Sequence, residues 1–476
     1  MESEGPRGRP GHLGLQGARG GAGRGGGAGT RDGAGTGQRD RFIDLVRAVS
    51  IVVVVLGHWT MAALHGGSTT GEGWSGIRVD NILAFTPQLH PLTWLLQVMP
   101  LFFFAAGFTN ALGLRRPGRV RAFLVGRVER VTRPTLVLIG VWLVLCTVLI
   151  AAGVDEGLVD AAGQNAAMIL WFLAVYLVLA LIAPLQVAVH RRLPWLLVSV
   201  LPLLAVLLDR TQNTSWAGLG FVNYLIVFGF AQELGMLYAD GRLTRRPRWV
   251  WPLGAAAAVG LLVLLTAIGP YPVSMITVPG EQMSNMLPPS VCVILAGALQ
   301  VCLLMWARPA LSRWLEGEWT WLAVVVVNRS VMTIFLWHLT GFVVATAVLL
   351  GVGLPLPEPG TGLWWAHKLL WLLVAGIITA VLVRLLTFVE WLPSRAAVPP
   401  TTLAVPATVL VAAGMTMVAS AGFAHPLQRG GVSLAGLTFA PAWGMVLVVV
   451  GLLLVWLVPA RARGTLDEDR AVRVPR

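Results

Sequence analysis

Long apolar runs recur along the chain and are separated by short polar segments. A helix needs about 20 apolar residues to cross a bilayer, and twelve runs approach or exceed that length. They are Ile43–Leu64, Leu92–Leu114, Pro134–Gly153, Ala166–Ala188, Leu193–Leu208, Trp216–Ala239, Trp249–Ile268, Leu287–Ala307, Trp319–Val352, Leu363–Phe388, Leu403–Phe423 and Leu437–Val458. The fifth is short, and the ninth is long enough to tilt, break or include an interfacial start. The pattern predicts an all-α, polytopic membrane bundle of about twelve transmembrane helices.

Composition and charge support this prediction. Of 476 residues, 56% are hydrophobic and only 12% are charged, whereas soluble domains carry about 25% charged residues. The net charge of +13 is compatible with nucleic-acid binding, but the basic residues lie in short clusters between apolar runs. With the N-terminus in the cytoplasm, 29 of the 35 Lys and Arg are cytoplasmic. Four are outside (Arg78, Arg210, Lys368 and Arg429), and two are within spans (Arg47 and Arg329).

This asymmetry is the positive-inside pattern. It predicts a multi-pass protein of the plasma (inner) membrane, with both termini cytoplasmic and no nucleic-acid partner. Residues 1–38 are rich in Gly and Arg and cannot form a core, so we expect a disordered cytoplasmic tail. Residues 460–476 form a second cytoplasmic tail. The three cysteines lie in apolar runs without metal-ligand or redox spacing, so we predict neither a disulfide nor a metal site.

The first run contains the most conspicuous polar residues. Arg47 and His58 are eleven positions apart, about three helical turns, and therefore share one face at a separation of about 16 Å along the axis. Asp44 lies one turn before Arg47 on the same face. Ionisable groups inside a membrane are costly, which favours a functional site. Two structural interpretations stay open: a snorkelling Asp44–Arg47 anchor, and a neutral His58 bonded to a neighbouring helix.

The arrangement of arginine, ten residues and histidine on a first span resembles the membrane-bound acyltransferase family 3. The segment MPLFFFAAGFTNAL from Met99 resembles the second-span signature of that family, with Ala106 in place of its usual serine. Close helix packing by small residues explains this segment equally well. LWFLAVYLVLALIAPL from Leu170 resembles the fourth span, and we expect Trp171 and Tyr176 near the outer interface.

A basic cluster precedes the third span. Arg127 and Arg130, one turn apart, match the Arg-x-x-Arg motif of the same family. The resemblance implies that they dock the phosphates of coenzyme A, which suits a basic cluster on the cytoplasmic side. Glu129 would screen part of their field. An anchor that binds lipid head groups is the alternative.

A second polar concentration, VNRSVMTIFLWHL, lies in the ninth run. We expect Arg329 near mid-depth and His338 nine positions on, on the opposite face. LWH resembles a late motif of the family, and a structural histidine is the alternative. Glu233, in the sixth run, needs a partner, and Arg329 is a candidate. Arg329, His338 and Glu233 form a second candidate site.

A Pro-rich loop separates the seventh and eighth runs. It contains Glu281, Ser284 and Asn285, which could line an acceptor entrance or be ordinary loop residues.

The resemblance implies a ten-span acyltransferase domain over residues 39–390, followed by an accessory two-span hairpin at 400–459 to which we assign no chemistry. It implies transfer of a short acyl group, such as acetyl, from cytoplasmic acyl-coenzyme A to a hydroxyl of an envelope glycan, glycolipid or secreted metabolite. Membrane lipids would be further partners.

In this hypothesis His58 is the general base, with an acyl-histidine relay as the less economical variant. Arg47 orients the thioester or phosphate end and Asp44 holds Arg47. A transporter or flippase without covalent chemistry is the competing class, because twelve spans with interior charges also suit transport. No internal repeat is visible in the sequence, which weighs against it.

Overall fold

The fold is a bundle of apolar helices. A computed structural model describes residues 40–66, 78–115, 118–212, 214, 217–392, 401–427, 432–434 and 437–456. Both predicted tails, 1–38 and 460–476, lie outside the described residues. Within these residues, ten helical segments are long and apolar enough to cross a membrane. The predicted fold class, an all-α polytopic membrane bundle, is therefore confirmed.

The helices follow one another with few strands between them. The first half contains α1 (Arg41–Met61), α2 (Thr93–Leu96), α3 (Met99–Gly113), α4 (Val120–Ala151), α5 (Glu156–Met168), α6 (Leu170–Arg192), α7 (Leu196–Asp209) and α8 (Asn223–Ala239). The second half contains α9 (Val250–Ala267), α10 (Val291–Trp314), α11 (Glu318–Arg329), α12 (Val331–Gly351), α13 (Gly362–Leu386), α14 (Phe388–Trp391), α15 (Thr401–Ala421) and α16 (Pro441–Trp456). Two antiparallel hairpins pair β1 (Ala62–His65) with β2 (Arg78–Asn81) and β3 (Val432–Leu434) with β4 (Leu437–Phe439).

The fifth predicted span is shorter than a full crossing. Helix α7 has 14 residues, so at 1.5 Å per residue it is about 21 Å long, below the roughly 30 Å of a bilayer core. The fifth apolar run was already short in the sequence. The twelfth run corresponds to α16, which the structure describes as far as Trp456, the last described residue.

The ninth predicted span is broken. Helix α11 ends at Arg329 and α12 begins at Val331, with Ser330 between them at φ −121° and ψ 21°. The prediction that this run tilts or breaks is confirmed, and the consequence matters for Arg329. It lies at the end of α11, outside the membrane-crossing helix Val331–Gly351, so the expectation of a mid-depth arginine was wrong.

Close packing of α3 against α8 holds the centre of the bundle together. A Cβ added at Gly107 would lie 2.0 Å from the Gln232 carbonyl oxygen, and one at Gly235 would lie 1.9 Å from that of Phe104. Only glycine permits this approach. The second-span motif around Gly107 therefore has a packing function, which was one of its two open interpretations.

The last two long helices form a tightly packed pair. Helices α15 and α16 touch through Gly414, Gly444 and Gly451, where any side chain would meet the facing helix at under 3.0 Å. Helix α15 also packs along α6 and against α4 and α5. Gln164 of α5 donates a hydrogen bond to the Ala419 carbonyl at 3.0 Å. The pair thus covers one flank of the bundle formed by the earlier helices.

Candidate functional site

Two histidines from distant parts of the chain meet inside the bundle. Nδ1 of His58, on α1, lies 2.8 Å from Nε2 of His338, on α12. The rings are nearly parallel, 11° apart, with centroids 5.1 Å apart. His338 is fully buried, and His58 is partly exposed to a cavity. The sequence analysis had placed His58 and His338 in two separate candidate sites, and the structure brings them into contact.

The hydrogen bonds around the pair specify its tautomers. Nδ1 of His338 lies 2.6 Å from the Phe335 carbonyl oxygen, which can only accept, so Nδ1 carries the proton. In a neutral ring Nε2 of His338 is then an acceptor, and Nδ1 of His58 must donate to it. The proton on Nδ1 of His58 leaves Nε2 of that ring with a free lone pair. The chain from Phe335 to His58 therefore leaves a basic nitrogen on His58.

Trp59 and Lys368 fix the end of α1 beside this pair. The indole N–H of Trp59 donates to the His338 carbonyl oxygen at 2.8 Å. The ammonium of Lys368 donates to the carbonyl oxygens of Trp59, at 3.1 Å, and Ala62, at 2.6 Å. Carbonyls at a helix C-terminus lack intrahelical partners, and a cation there also complements the helix dipole. Lys368 thus caps α1 one residue after His58.

The position of Lys368 corrects the sequence analysis. We had counted it among the outer charges, but it is 4% exposed and lies inside the span Gly362–Trp391. Its ammonium lies 4.8 Å from the Trp364 ring centroid and 5.4 Å from that of Phe342. A buried lysine with carbonyl and aromatic partners is a structural cap for α1.

One cavity, of about 690 Å³, is lined by arginines; we call it the arginine cavity. Five arginines and two glutamates face it, a formal charge of +3, and these are Arg47, Arg127, Arg130, Arg133, Arg329, Glu129 and Glu390. Their elements are the first half of α1, the start of α4, the end of α11 and α14. Excess positive charge in a partly enclosed space favours an anion.

The predicted pair Arg127 and Arg130 lies in this cavity. Arg127 donates to the hydroxyl of Tyr176, and at 3.1 Å each to Thr109 Oγ1 and Asn110 Oδ1. All three partners are neutral. Arg130 is exposed and makes no hydrogen bond or ion pair with the residues that the structure describes. Both cations therefore keep their charge available to a ligand.

Tyr176 lines the arginine cavity. Its hydroxyl accepts a hydrogen bond from Arg127, a contact with the candidate site that belt anchoring does not explain. Glu129, expected to screen Arg127 and Arg130, instead pairs with Arg133 at 3.3 Å.

Arg47 and Arg329 also border the arginine cavity. Arg47 lies 3.9 Å from the Asp44 carboxylate, the pairing that the sequence suggested. Arg329 is stacked 4.1 Å from the Trp391 ring centroid. It has no contact with Glu233, so the expected Arg329–Glu233 pair was wrong.

Glu233 belongs to a separate buried cluster. Its carboxylate is 2.5 Å from Nδ1 of His190 and 3.2 Å from Nε2 of Gln186, and Nε2 of His190 is 3.1 Å from the Asp240 carboxylate. These bonds join α6 to α8. Within the described ranges, no group of three or more His, Cys, Asp and Glu residues is arranged to hold a metal ion.

A second, larger cavity of about 1340 Å³ borders His58; its lining is mainly aliphatic and aromatic, and we call it the apolar cavity. Arg47, Ile51, Val54 and His58 form one stripe along α1, as predicted for Arg47 and His58. The first two line the arginine cavity and the last two line the apolar cavity.

Three phenylalanines lie between the two cavities. The ring of Phe172 lies 5.7 Å from that of Phe102 and 5.1 Å from that of Phe335, measured between centroids, and Phe335 is 6.0 Å from His338. Neighbouring residues on α1, α3 and α6 face one cavity or the other. On α1 the two linings meet about one helical turn apart, at Ile51 and Val54, and on α6 they alternate between Trp171 and Val178. The two cavities therefore adjoin across this phenylalanine partition, beside the histidine pair.

The polar residues that the sequence singled out in the loop between α9 and α10 mainly stabilise the loop itself. Asn285 is buried and donates to the carbonyl oxygens of Pro272 and Ser274, at 2.7 and 2.9 Å. Ser284 accepts from the Met286 and Leu287 backbone amides. Partial burial raises the pKa of the Glu281 carboxyl, and His90 at 4.0 Å opposes this shift. None of the three predicted loop residues lines the apolar cavity.

Comparison with known proteins identifies the family. A family model described as an acyltransferase domain, of the acyltransferase 3 type, matches residues 40–389. The chain belongs to this acyltransferase family. No curated protein and no solved structure matches the chain. The family match covers α1 to α13 and the first two residues of α14, and so includes both histidines and all five arginines of the arginine cavity. Glu390, Trp391 and Leu392 of that cavity, and helices α15 and α16 of the acyltransferase, lie beyond it.

Sequence reasoning missed three features of this candidate site. It did not pair His58 with His338, although both histidines had been noted. It placed Lys368 outside, although the only lysine of the chain lies between Trp364 and Trp371 in an apolar run, which is a usable signal for a buried cation. It gave α15 no chemistry, although that helix lines the apolar cavity.

Substituting Lys368 tests the cap of α1. Lys368→Met leaves two carbonyls at the end of α1 without their donor, a loss of about 1–3 kcal/mol. Hydrogen–deuterium exchange of the amides in 59–64 should therefore accelerate about tenfold or more, with α9 as the internal reference. Lys368→Arg keeps a cationic donor and should exchange more slowly than the methionine variant. Identical exchange in all three proteins would contradict the capping role.

Proposed function

We propose that this acyltransferase takes an acyl group from cytoplasmic acyl-coenzyme A and transfers it to a hydroxyl of an envelope glycan, glycolipid or secreted metabolite on the other side of the membrane. The observation that carries the proposal is a pair of adjoining cavities of opposite character, with His58 lining the apolar one. One is cationic and suits phosphates, and the other is apolar. Coenzyme A is too highly charged to cross the bilayer, so its phosphates stay on the arginine side.

In the proposed binding mode, Arg127 and Arg130 hold the phosphates of the donor. Neither arginine forms an ion pair with a carboxylate within the described ranges, although Glu390 is near enough to Arg130 to interact with its charge. Tyr176 and Asn110 keep the Arg127 guanidinium in place. Arg47, steadied by Asp44, contributes a third cation. Because Arg47 lies about 16 Å below His58 along α1, its role is confined to the phosphate end of the donor. The positive-inside count supports the cytoplasmic assignment of this cavity.

In the proposed chemistry, Nε2 of His58 removes the proton of the acceptor hydroxyl as its oxygen attacks the thioester carbonyl carbon. The carbon–sulfur bond then breaks, and the thiolate of coenzyme A takes the proton from Nε2. The intermediate imidazolium is stabilised because its Nδ1–H donates to neutral His338. His338 therefore acts as a positioning residue. Direct transfer needs one proton carrier, whereas an acyl-histidine intermediate needs a second base.

Removal of Arg127 and Arg130 tests the donor site. The double variant Arg127→Ala, Arg130→Ala should raise the Kd of the purified protein for acetyl-coenzyme A about tenfold or more, because each charge-assisted bond contributes about 1.5–3 kcal/mol. Isothermal titration in detergent measures this. The matched control Arg192→Ala, Arg245→Ala removes the same charge away from the cavity and should bind normally. Equal Kd values for the two double variants would show that Arg127 and Arg130 do not bind the donor and serve only as a topological anchor.

Substitution of the histidines tests the chemistry. His58→Gln keeps polarity but cannot accept the proton, so release of coenzyme A with envelope extract as acceptor should fall about 10²–10⁴-fold while acetyl-coenzyme A binding stays normal. His338→Leu removes the acceptor for His58 and should lower release about 10–100-fold. His338→Gln, whose side-chain oxygen can accept, should recover part of it.

Three outcomes would contradict the proposal. Full loss in His338→Gln with normal release in His58→Gln would put the base on α12. Normal release in both glutamine variants would exclude a histidine mechanism. Absence of coenzyme A release by the wild type with every extract would favour the transporter hypothesis.

A further inference from the structure

The apolar cavity is far larger than a short acyl group and its acceptor hydroxyl need. Its volume of about 1340 Å³ exceeds the range of about 300–1,000 Å³ for sites that hold drug-sized ligands. It extends from His58 and the α9–α10 loop along α6 as far as Leu181 and along α15 as far as Val409. Something other than the reacting groups must fill this space.

The polar side chains of the cavity are concentrated at its loop end, where Asn81 and Tyr224 already donate to protein acceptors. Asn81 donates to the Thr277 carbonyl at 3.1 Å, and Tyr224 to the Met286 carbonyl at 3.0 Å. Away from that end, the α6 wall is built from Ala174, Val178 and Leu181. A free soluble glycan would find few partners there, and burying its hydroxyls without partners is unfavourable.

Helix α15 forms the facing wall with one of its own faces. Val409, Ala413, Thr416 and Ser420 are spaced by four, three and four residues, which puts them on one side of a helix. All four are exposed and all four line the cavity. Ala413, Thr416 and Ser420 are small, so they leave room between α15 and α6. The same face continues to Val405, which is exposed but lies outside the cavity.

The open side of the cavity is apolar as well. Leu56 of α1 and Val409 are 45% and 49% exposed, at positions within membrane-crossing helices. A hydrocarbon chain can therefore pass from the bilayer into the cavity without leaving apolar surroundings. In the proposed binding mode the charged end of the donor lies in the arginine cavity, across the phenylalanine partition. The unfilled part of the apolar cavity is therefore available to the acceptor.

We infer that the apolar cavity holds the long aliphatic chain of a lipid-linked acceptor, whose hydroxyl-bearing head group lies at His58, and that α15 selects for that chain. This inference rests on the proposed function for the role of His58. It narrows the acceptor class to glycolipids and other lipid-linked alcohols. Residues 401–456 lie outside the family match at 40–389, so the chain-binding wall is a feature that this protein adds to the shared acyltransferase domain.

Photolabelling of the full-length protein in phosphatidylcholine nanodiscs tests the inference. The probe is hexadecyl glucoside with a diazirine in its alkyl chain. We expect saturable labelling of peptides from 168–181 and 409–420, displaced by unlabelled hexadecyl glucoside at the same mole fraction but not by methyl glucoside. Ala413→Trp should reduce this labelling about tenfold or more by filling the space. The matched control Val405→Trp, on the same face outside the cavity, should label like the wild type.

Three outcomes would overturn the inference. Labelling that rises in proportion to the probe concentration without saturating would indicate contact with bulk lipid. Labelling that is unchanged in Ala413→Trp would show that α15 does not form part of the binding site. Displacement by palmitoyl-coenzyme A but not by hexadecyl glucoside would assign the cavity to the acyl chain of the donor. A failure of the proposed function gives a different result from a failure of this inference. In that case acetyl-coenzyme A binding and turnover are absent, while saturable labelling by the glucoside probe persists.

Discussion

The hydrogen bond between His58 and His338 is the interaction on which the site depends. It joins α1 to α12 and fixes which nitrogen of each ring carries a proton. Around it, Trp59 ties the same two helices together and Lys368 adds α13. The proposed role of His58 as a general base depends on this framework, because hydrogen bonds to the other ring nitrogen decide which nitrogen is free to accept a proton.

The membrane explains why the site has two unlike halves. Arginines are tolerated at the ends of spans, where they reach water, and are costly further in. The arginine cavity lies at the start of α1 and α4, and deeper along α1 the lining becomes apolar. Three phenylalanines separate these environments beside the histidine pair. The division suits the proposed reaction between a charged donor and a lipid-linked acceptor, since the phosphates of the donor favour the arginines and an aliphatic chain favours the apolar lining.

The sequence predicted what depends on local pattern. Apolar run length located the helices, and the helical period placed Arg47 and His58 on one stripe. The unusual length of the ninth run anticipated the break at Ser330. Local patterns could not predict contacts between distant segments. His58 and His338 are 280 positions apart, and no periodicity in the sequence indicates that they are in contact. Glu233 was paired with Arg329 only by opposite charge, whereas packing brings it to His190.

The lining of the apolar cavity could not be predicted from the sequence for the same reason. The small residues of α15 are unremarkable in a transmembrane helix, and only the position of α15 against α6 turns them into a wall. Lys368 is different, because a single lysine among tryptophans is visible in the sequence. Its misplacement came from assigning charges near a span end to the aqueous side, a rule that fails when carbonyls at another helix terminus are within reach.

The most direct test of the account is the protonation state of His58. Nitrogen-15 NMR of histidine-labelled protein in lipid, with His58→Gln and His338→Gln used to assign the two signals, reports which nitrogen of each ring is protonated. We expect His58 to carry its proton on Nδ1 with Nε2 free, and His338 to be protonated on Nδ1. A proton on Nε2 of His58 in the resting protein would contradict the account, because the nitrogen assigned to acyl transfer could not act as the base.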